Sequence, residues 1–290
     1  MILELLSVVA PVFVVALIGL GWARSGAHFD EASISRLVLN VGIPCLVFRS
    51  LTSLDVPPAE LARMAGLAAV VMSSFAIGGF AVLRAMKLPA HTYLGPLVFA
   101  NSGNIGLPIC LFAFGEAGLA LGMAYFAVSS TCHVVLGGPL FAGRFSWRPF
   151  FRSPLTWAVV ITVGVITSGA PVPTWIGRTT TLLGDIAIPL MLLTLGVSLS
   201  KMHPQSLGRS IILSFVRLAL GVCGGLLVTR ALGVEGLTRK VLILQASMPV
   251  GVLNYLFAQR YGRSPEQVAS LVLVSTLLSV VSIPVLLAWL

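Results

Sequence analysis

The chain has 290 residues, 57% of them hydrophobic and 9% charged, with a mean hydropathy of +1.02. A soluble domain carries about 25% charged residues, so this composition excludes a water-soluble globular protein. The net charge of +9 does not point to nucleic acid either, because the basic residues sit mostly in short loops between apolar runs, where they report topology.

Apolar stretches predict ten spans, at roughly 3–21, 36–54, 60–83, 92–114, 117–142, 154–169, 179–199, 207–229, 236–258 and 265–289. At about 21 residues each, ten spans use about 210 residues and leave no room for a separate soluble catalytic domain. The first span lacks a basic start and an A-x-A-like site, so it reads as retained rather than cleaved. Cys45, Cys110, Cys132 and Cys223 lie inside apolar runs, where a free thiol behaves as a small hydrophobe. Loops after odd-numbered spans hold Arg24, Arg36, Arg84, Lys87, Arg144, Arg148, Arg152, Lys201, Arg209, Arg260 and Arg263. The other side holds Arg49, Arg63, Arg178, Arg230, Arg239 and Lys240. The basic excess places the odd loops in the cytoplasm and both termini outside a cytoplasmic (inner) membrane, with the run Arg230, Arg239, Lys240 pulling the other way.

Two matches suggest an internal duplication. Asn40-Val-Gly-Ile-Pro44 and Ser53 in the second span match Asp185-Ile-Ala-Ile-Pro189 and Ser198 in the seventh, each pair 145 positions apart. Asn104-Ile-Gly-Leu-Pro108 in the fourth span matches Gln245-Ala-Ser-Met-Pro249 in the ninth, 141 apart. Five spans is an odd number, so the second copy is expected upside down: residues 1–142 as one five-helix repeat, 143–153 as a short cytoplasmic connection, and 154–290 as the inverted repeat. Inverted repeats with helices interrupted at corresponding positions point to a secondary transporter and its binding site.

Each matched proline removes one N–H and releases the carbonyl four residues earlier, at Asn40, Asn104, Asp185 and Gln245. Every one of these residues also carries a side-chain oxygen. Such oxygen pairs can hold Na⁺, a proton or a polar substrate, or can simply repair the local backbone, and for Asn40 both readings stay open. The densest signal is Asn101-Ser102-Gly103-Asn104-Ile-Gly-Leu-Pro108, whose carboxamides, hydroxyl and glycines do not suit a lipid-facing helix. The half-helix beyond this break offers N–H groups and a positive dipole end to an anion. The ninth span repeats the arrangement with Gln245, Ser247, Pro249, Gly251 and Asn254. Among in-span ionisable groups, which are costly in hydrocarbon, Asp185 is either a coupling-ion ligand with Asn40 or half of an ion pair. Arg217 is either an anion-binding charge or the partner of Asp185. His133 reads better as a satisfied interior histidine than as a proton shuttle.

The 101–108 motif, together with Met248-Pro-Val-Gly-Val-Leu-Asn-Tyr-Leu-Phe-Ala-Gln-Arg-Tyr-Gly262, resembles the auxin efflux carrier family, and the ten-span layout extends the resemblance over the whole chain. The resemblance implies an all-α, bile acid–sodium symporter-like fold with broken fourth and ninth helices crossing beside the substrate. It implies a scaffold bundle packed against a moving core bundle, and a dimer. The implied substrates are organic anions: auxin in plants, malonate or malate in bacteria. Plant members have a long central loop; here it spans about 143–153, so the chain resembles a bacterial member. By position, Asn101, Asn104, Pro108 and Pro249 take the crossover roles.

The expected function is alternating-access transport of a small organic anion such as a dicarboxylate across the lipid bilayer, driven by an H⁺ or Na⁺ gradient or by the anion's own potential, with no bound cofactor or metal. A passive anion channel is the alternative. An intramembrane enzyme is disfavoured, because Leu182-Leu-Gly-Asp185 lacks the first glycine of a G-x-G-D motif and no G-x-S-x-G lies in a span opposite His133.

Overall fold

In lipid an apolar segment must satisfy its own backbone polar groups, and a helix does so within one segment. Among the described residues every regular element is accordingly helical. The structure is a computed structural model that describes residues 2–52, 56–142, 147–202, 205 and 207–290. Ser53 and Arg144, used above for the repeat and the charge bias, lie outside these.

The helices in chain order are α1 (Ile2–Arg24), α2 (Glu31–Leu37), α3 (Ile43–Thr52), α4 (Pro58–Ala85), α5 (Ala90–Val98), α6 (Leu107–Ala142), α7 (Arg148–Arg152), α8 (Pro154–Ser168), α9 (Thr174–Asp185), α10 (Ala187–Ser200), α11 (Leu207–Ala231), α12 (Gly236–Ala246), α13 (Val252–Tyr261) and α14 (Pro265–Trp289). Their ends follow local chemistry. Asp30 caps α2 by accepting from the Ser33 N–H at 3.0 Å, and prolines open α4, α8 and α14, where a missing N–H costs nothing. Gly169 and Gly262 close α8 and α13 at φ 63° and 61°, values that favour glycine.

Among the described residues seven stretches are long and apolar enough to cross a membrane: Ser7–Arg24, Glu31–Thr52, Pro58–Ala85, Ser102–Gly137, Thr174–Ser200, Leu207–Ala231 and Pro265–Trp289. The difference from ten predicted spans arises where helices are short or interrupted. α8 has 15 residues, and α5, α12 and α13 have 9, 11 and 10. Ser102–Gly137 takes in parts of two predicted spans, between which α6 turns sharply at Gly115 (φ 66°, ψ −161°).

Irregular backbone occurs at all four matched prolines. A π-helical turn at Val38–Gly42 precedes Pro44, and a second at Ser102–Gly106 precedes Pro108. Ile186 separates α9 from α10 just before Pro189, and Pro249 lies in the gap between α12 and α13. Elsewhere Pro11 and Pro284 sit inside helices that continue past them, while α5 ends at Val98, just after Pro96 and at the first break. Proline alone therefore does not set these breaks.

Packing sorts the described helices into two groups. In one, α1 lies along α10 with α2 also against α10, and α3 lies against α8 and α9. In the other, α4, α5, α6, α11, α12, α13 and α14 pack together, with α4 on α6 and α11 on α14 as the principal pairs. The groups meet where α3 and α1 touch α6, α1 touches α14, and α10 touches the 102–106 turn. Large apolar side chains such as Ile77, Leu182, Leu227, Leu277 and Val281 point outward. Each would gain about 1.5–3 kcal/mol by leaving water, so this exterior suits lipid as its solvent.

Candidate functional site

The two interrupted helices meet backbone to backbone. Between α5 and the 102–106 turn, and again between α12 and α13, the chain is extended, and Ala100 and Val250 form an antiparallel bridge. The Asn101 N–H donates to the Pro249 carbonyl at 2.7 Å, and the Gly251 N–H donates to the Phe99 carbonyl at 3.1 Å. Asn254 Nδ2 donates to the carbonyls of Phe99 and Gly251, both at 2.9 Å, so one buried carboxamide ties the two breaks. Ser275 Oγ accepts the Val250 N–H at 3.1 Å. The close approach requires glycine: a Cβ on Gly251 would fall 2.9 Å from the Ala100 oxygen, and one on Gly221 of α11 would fall 2.7 Å from Ser247 Cα.

A cavity of about 140 Å³ opens beside this bridge, between the two packing groups. Asn101, Ser102, Gly103 and Asn104 line it from the first break, and Gly251, Val252 and Leu253 from the second. Ser129, Ser130 and His133 of α6 face it, with Glu31, Ser35, Thr194 and Ser198 from the other group. Phe126, Leu39, Met191 and Leu256 supply apolar wall. The first N–H groups of a helical segment have no acceptor within it, so Ser102–Asn104 and Val252–Leu253 bring two positive dipole ends to one space. Asn101 is 5% exposed and its Nδ2 has no partner; His133 is 4% exposed and its Nε2 has none either. Glu31 accepts from Ser198 Oγ and pairs with Lys201. Among the described residues the cavity lining includes no lysine or arginine.

The remaining sequence-predicted residues lie elsewhere. Pro108, Gln245, Ser247, Pro249, Asn254, Arg217, Asp185 and Asn40 are outside the lining. Gln245 is fully buried behind the first break, where a Cβ on Gly106 would collide with its side chain. Ser247 Oγ donates to the Ile243 carbonyl at 2.8 Å. Arg217 is 1% exposed on α11; its Nη2 donates to the Ala246 carbonyl at 2.9 Å, and its guanidinium lies 4.9 Å from the Phe75 ring centroid. It thus covers the negative end of α12, behind the bridge rather than in the cavity. Asp185 pairs with Arg49, not with Arg217, and Arg49 also reaches Glu116 at 3.1 Å. The Asp185 side chain is 54% exposed. Asn40, in the first π turn, is exposed as well.

Sequence reasoning missed Ser129, Ser130, Thr194 and Glu31, and it read His133 as satisfied. The Ser129-Ser130-Thr131 run inside an apolar span was the available signal for α6. For Thr194 and Glu31 there was none, since an isolated hydroxyl or a helix-start acid is ordinary on any helix.

Residues 138–287 match the family model described as Membrane transport protein. The chain is 29% identical over 269 residues, covering 88% of it and 87% of the relative, to a protein of Methanothermobacter thermautotrophicus named Uncharacterized transporter. It is 22% identical, over 96% of both chains, to an uncharacterized transporter of Methanocaldococcus jannaschii. It is also similar to auxin efflux carrier component 1 of Arabidopsis thaliana, at 23% identity over 46% of this chain and 22% of that protein.

Proposed function

The chain belongs to the membrane transport protein family of the auxin efflux carriers, and we propose on that footing that it is an alternating-access carrier for a small organic anion. It is a multi-pass membrane protein and not an enzyme. The observation that carries the reading is the cavity beside the Ala100–Val250 bridge, where two half-helix N-termini and the unpartnered Asn101 Nδ2 converge. A carboxylate entering there would meet N–H and hydroxyl donors at a point where its charge faces two positive dipole ends.

In this reading the ten spans form two inverted repeats, 1–142 and 154–290, in a bile acid–sodium symporter-like fold. Exchange of packing partners supports it. Moving five spans along the chain turns the α1–α10 contact into α8–α3, α4–α6 into α11–α14, and α4–α5 into α11–α12, all of which occur. The group containing α1, α3, α8, α9 and α10 is then the scaffold, and the other group the moving core.

The positive-inside assignment puts the odd loops in the cytoplasm of a cell with an inner membrane and both termini outside. The lining residues of α2, α6, α10 and α13 come from the halves nearest the odd loops, which makes this the inward-facing form. At the other end Arg49 joins Asp185 of the scaffold to Glu116 at the Gly115 corner of the core, a contact that holds that side closed and must part when the cavity faces outward. Asp185 then acts as a gate partner, and coupling through Asp185 or Asn40 is the weaker assignment.

Uptake of labelled malonate, malate and indole-3-acetate into proteoliposomes, with and without imposed H⁺ and Na⁺ gradients, tests the carrier. Saturable uptake and counterflow are expected. Single-channel currents above carrier turnover would replace the carrier with a channel.

A further inference from the structure

His133 sits in the cavity wall without a partner for Nε2. Its ring stacks on Phe99 at 4.2 Å with an interplanar angle of 5°, and Phe257 flanks it at 5.3 Å. Phe99 belongs to the first break and Phe257 to the half-helix after the second, so the imidazole is held by both sides of the bridge. Asn101 Nδ2 lines the same cavity, also unpartnered.

An anion taken into this space must be neutralised, because an unpaired buried charge is costly. Among the described residues the lining offers no lysine or arginine, and its one carboxylate there, Glu31, is already tied to Lys201 and Ser198. Hydroxyls and carboxamides donate hydrogen bonds but bring no charge. Histidine is the lining side chain able to gain a positive charge near neutral pH and lose it again.

We propose, resting on the carrier reading above, that His133 carries one proton across with each substrate anion, its Nε2 taking the proton as the carboxylate settles between His133 and Asn101. The proton comes from solution on the entry side and returns to solution on the exit side. A monoanion and the imidazolium thus cross together with no net charge. The ionisable groups on the elements around it are Glu31 across the cavity and Arg36 on α2, Tyr255, Arg260 and Tyr261 on α13, and Cys110, Glu116, Tyr125 and Cys132 on α6 itself. Of these, Glu31 alone shares the cavity lining. Arg260 lies over the Tyr261 ring, and Tyr261 stacks behind Phe257.

The test is calorimetric titration of the purified protein with malonate and with indole-3-acetate, in buffers of different ionisation enthalpy at neutral pH, which counts protons taken up on binding. It is paired with proteoliposome uptake under an acid-outside gradient. Wild type is expected to take up about one proton per anion bound and to show several-fold stimulation by the gradient; His133→Gln is expected to take up none and to lose the stimulation. Binding without proton uptake by wild type, or an unchanged count in His133→Gln, overturns the proposal while leaving the carrier intact. If His133→Gln does not bind, the wild-type count decides by itself. Absence of any carboxylate binding or transport by wild type removes the carrier reading and this inference together.

Discussion

Around Ala100 the chain turns its polar side chains toward the cavity; around Val250 it turns them away. Asn101, Ser102 and Asn104 line the space, whereas Gln245, Ser247 and Asn254 are buried behind it, and the second break offers only backbone and the apolar Val252 and Leu253. The two segments match in sequence, yet one presents cavity-facing groups, while in the other Asn254 ties the bridge and Gln245 and Ser247 bond to the Gly122 and Ile243 carbonyls. A repeated motif thus accompanies a broken helix twice, but Asn104 follows the first break and Gln245 precedes the second, so the matched polar residues lie on opposite sides of their breaks.

The sharpest way to break this comparison is at the bridge itself. Gly251→Ala puts a Cβ 2.9 Å from the Ala100 oxygen, and the overpacking is expected to cost about 3 kcal/mol, seen as a lowered thermal midpoint in detergent with loss of uptake. Asn254→Ala removes both bonds that tie the breaks and should cost about 1–2 kcal/mol of stability; a midpoint equal to wild type would contradict its role as a tie. Asn101→Ala is the reverse case. Its Nδ2 bonds to nothing in the protein, so binding of malonate or indole-3-acetate should weaken about tenfold, about 1.4 kcal/mol, with little change in midpoint. A large fall in stability without a change in affinity would assign Asn101 to the bridge instead. The smallest effect on stability is expected at Arg49→Gln, about 0.2–1 kcal/mol for a partly exposed pair. A cysteine placed on the even-loop side should nonetheless react faster with a membrane-impermeant thiol reagent once Arg49 no longer joins Asp185 to Glu116.

Much of the frame was legible in the residues. The apolar runs place the helices within a few residues, and the four prolines with Asn40, Asn104, Asp185 and Gln245 four positions earlier mark where backbone regularity fails. Pro11 and Pro284 show the limit of that signal, since their helices run on. Less of the site could be read. Arg217 looked available to an anion because it is the one basic residue deep in a span, but Ala246 and Phe75 enclose it. Asp185 suggested a partner in Arg217, but the partner is Arg49, 136 positions away in sequence. His133 gave no local sign of its place, because Phe99 and Phe257 reach it from distant parts of the chain.

By itself the sequence determined a membrane-embedded helical chain and the positions of its breaks. Hydropathy and the missing proline N–H act along a single segment, and lipid leaves that segment few alternatives. Only the tertiary structure decided which break faces the cavity, which charges pair, and that an imidazole stands beside Asn101. Those outcomes depend on how each helix is rotated about its axis and which neighbour it packs against, and both are fixed by contacts between residues remote in sequence.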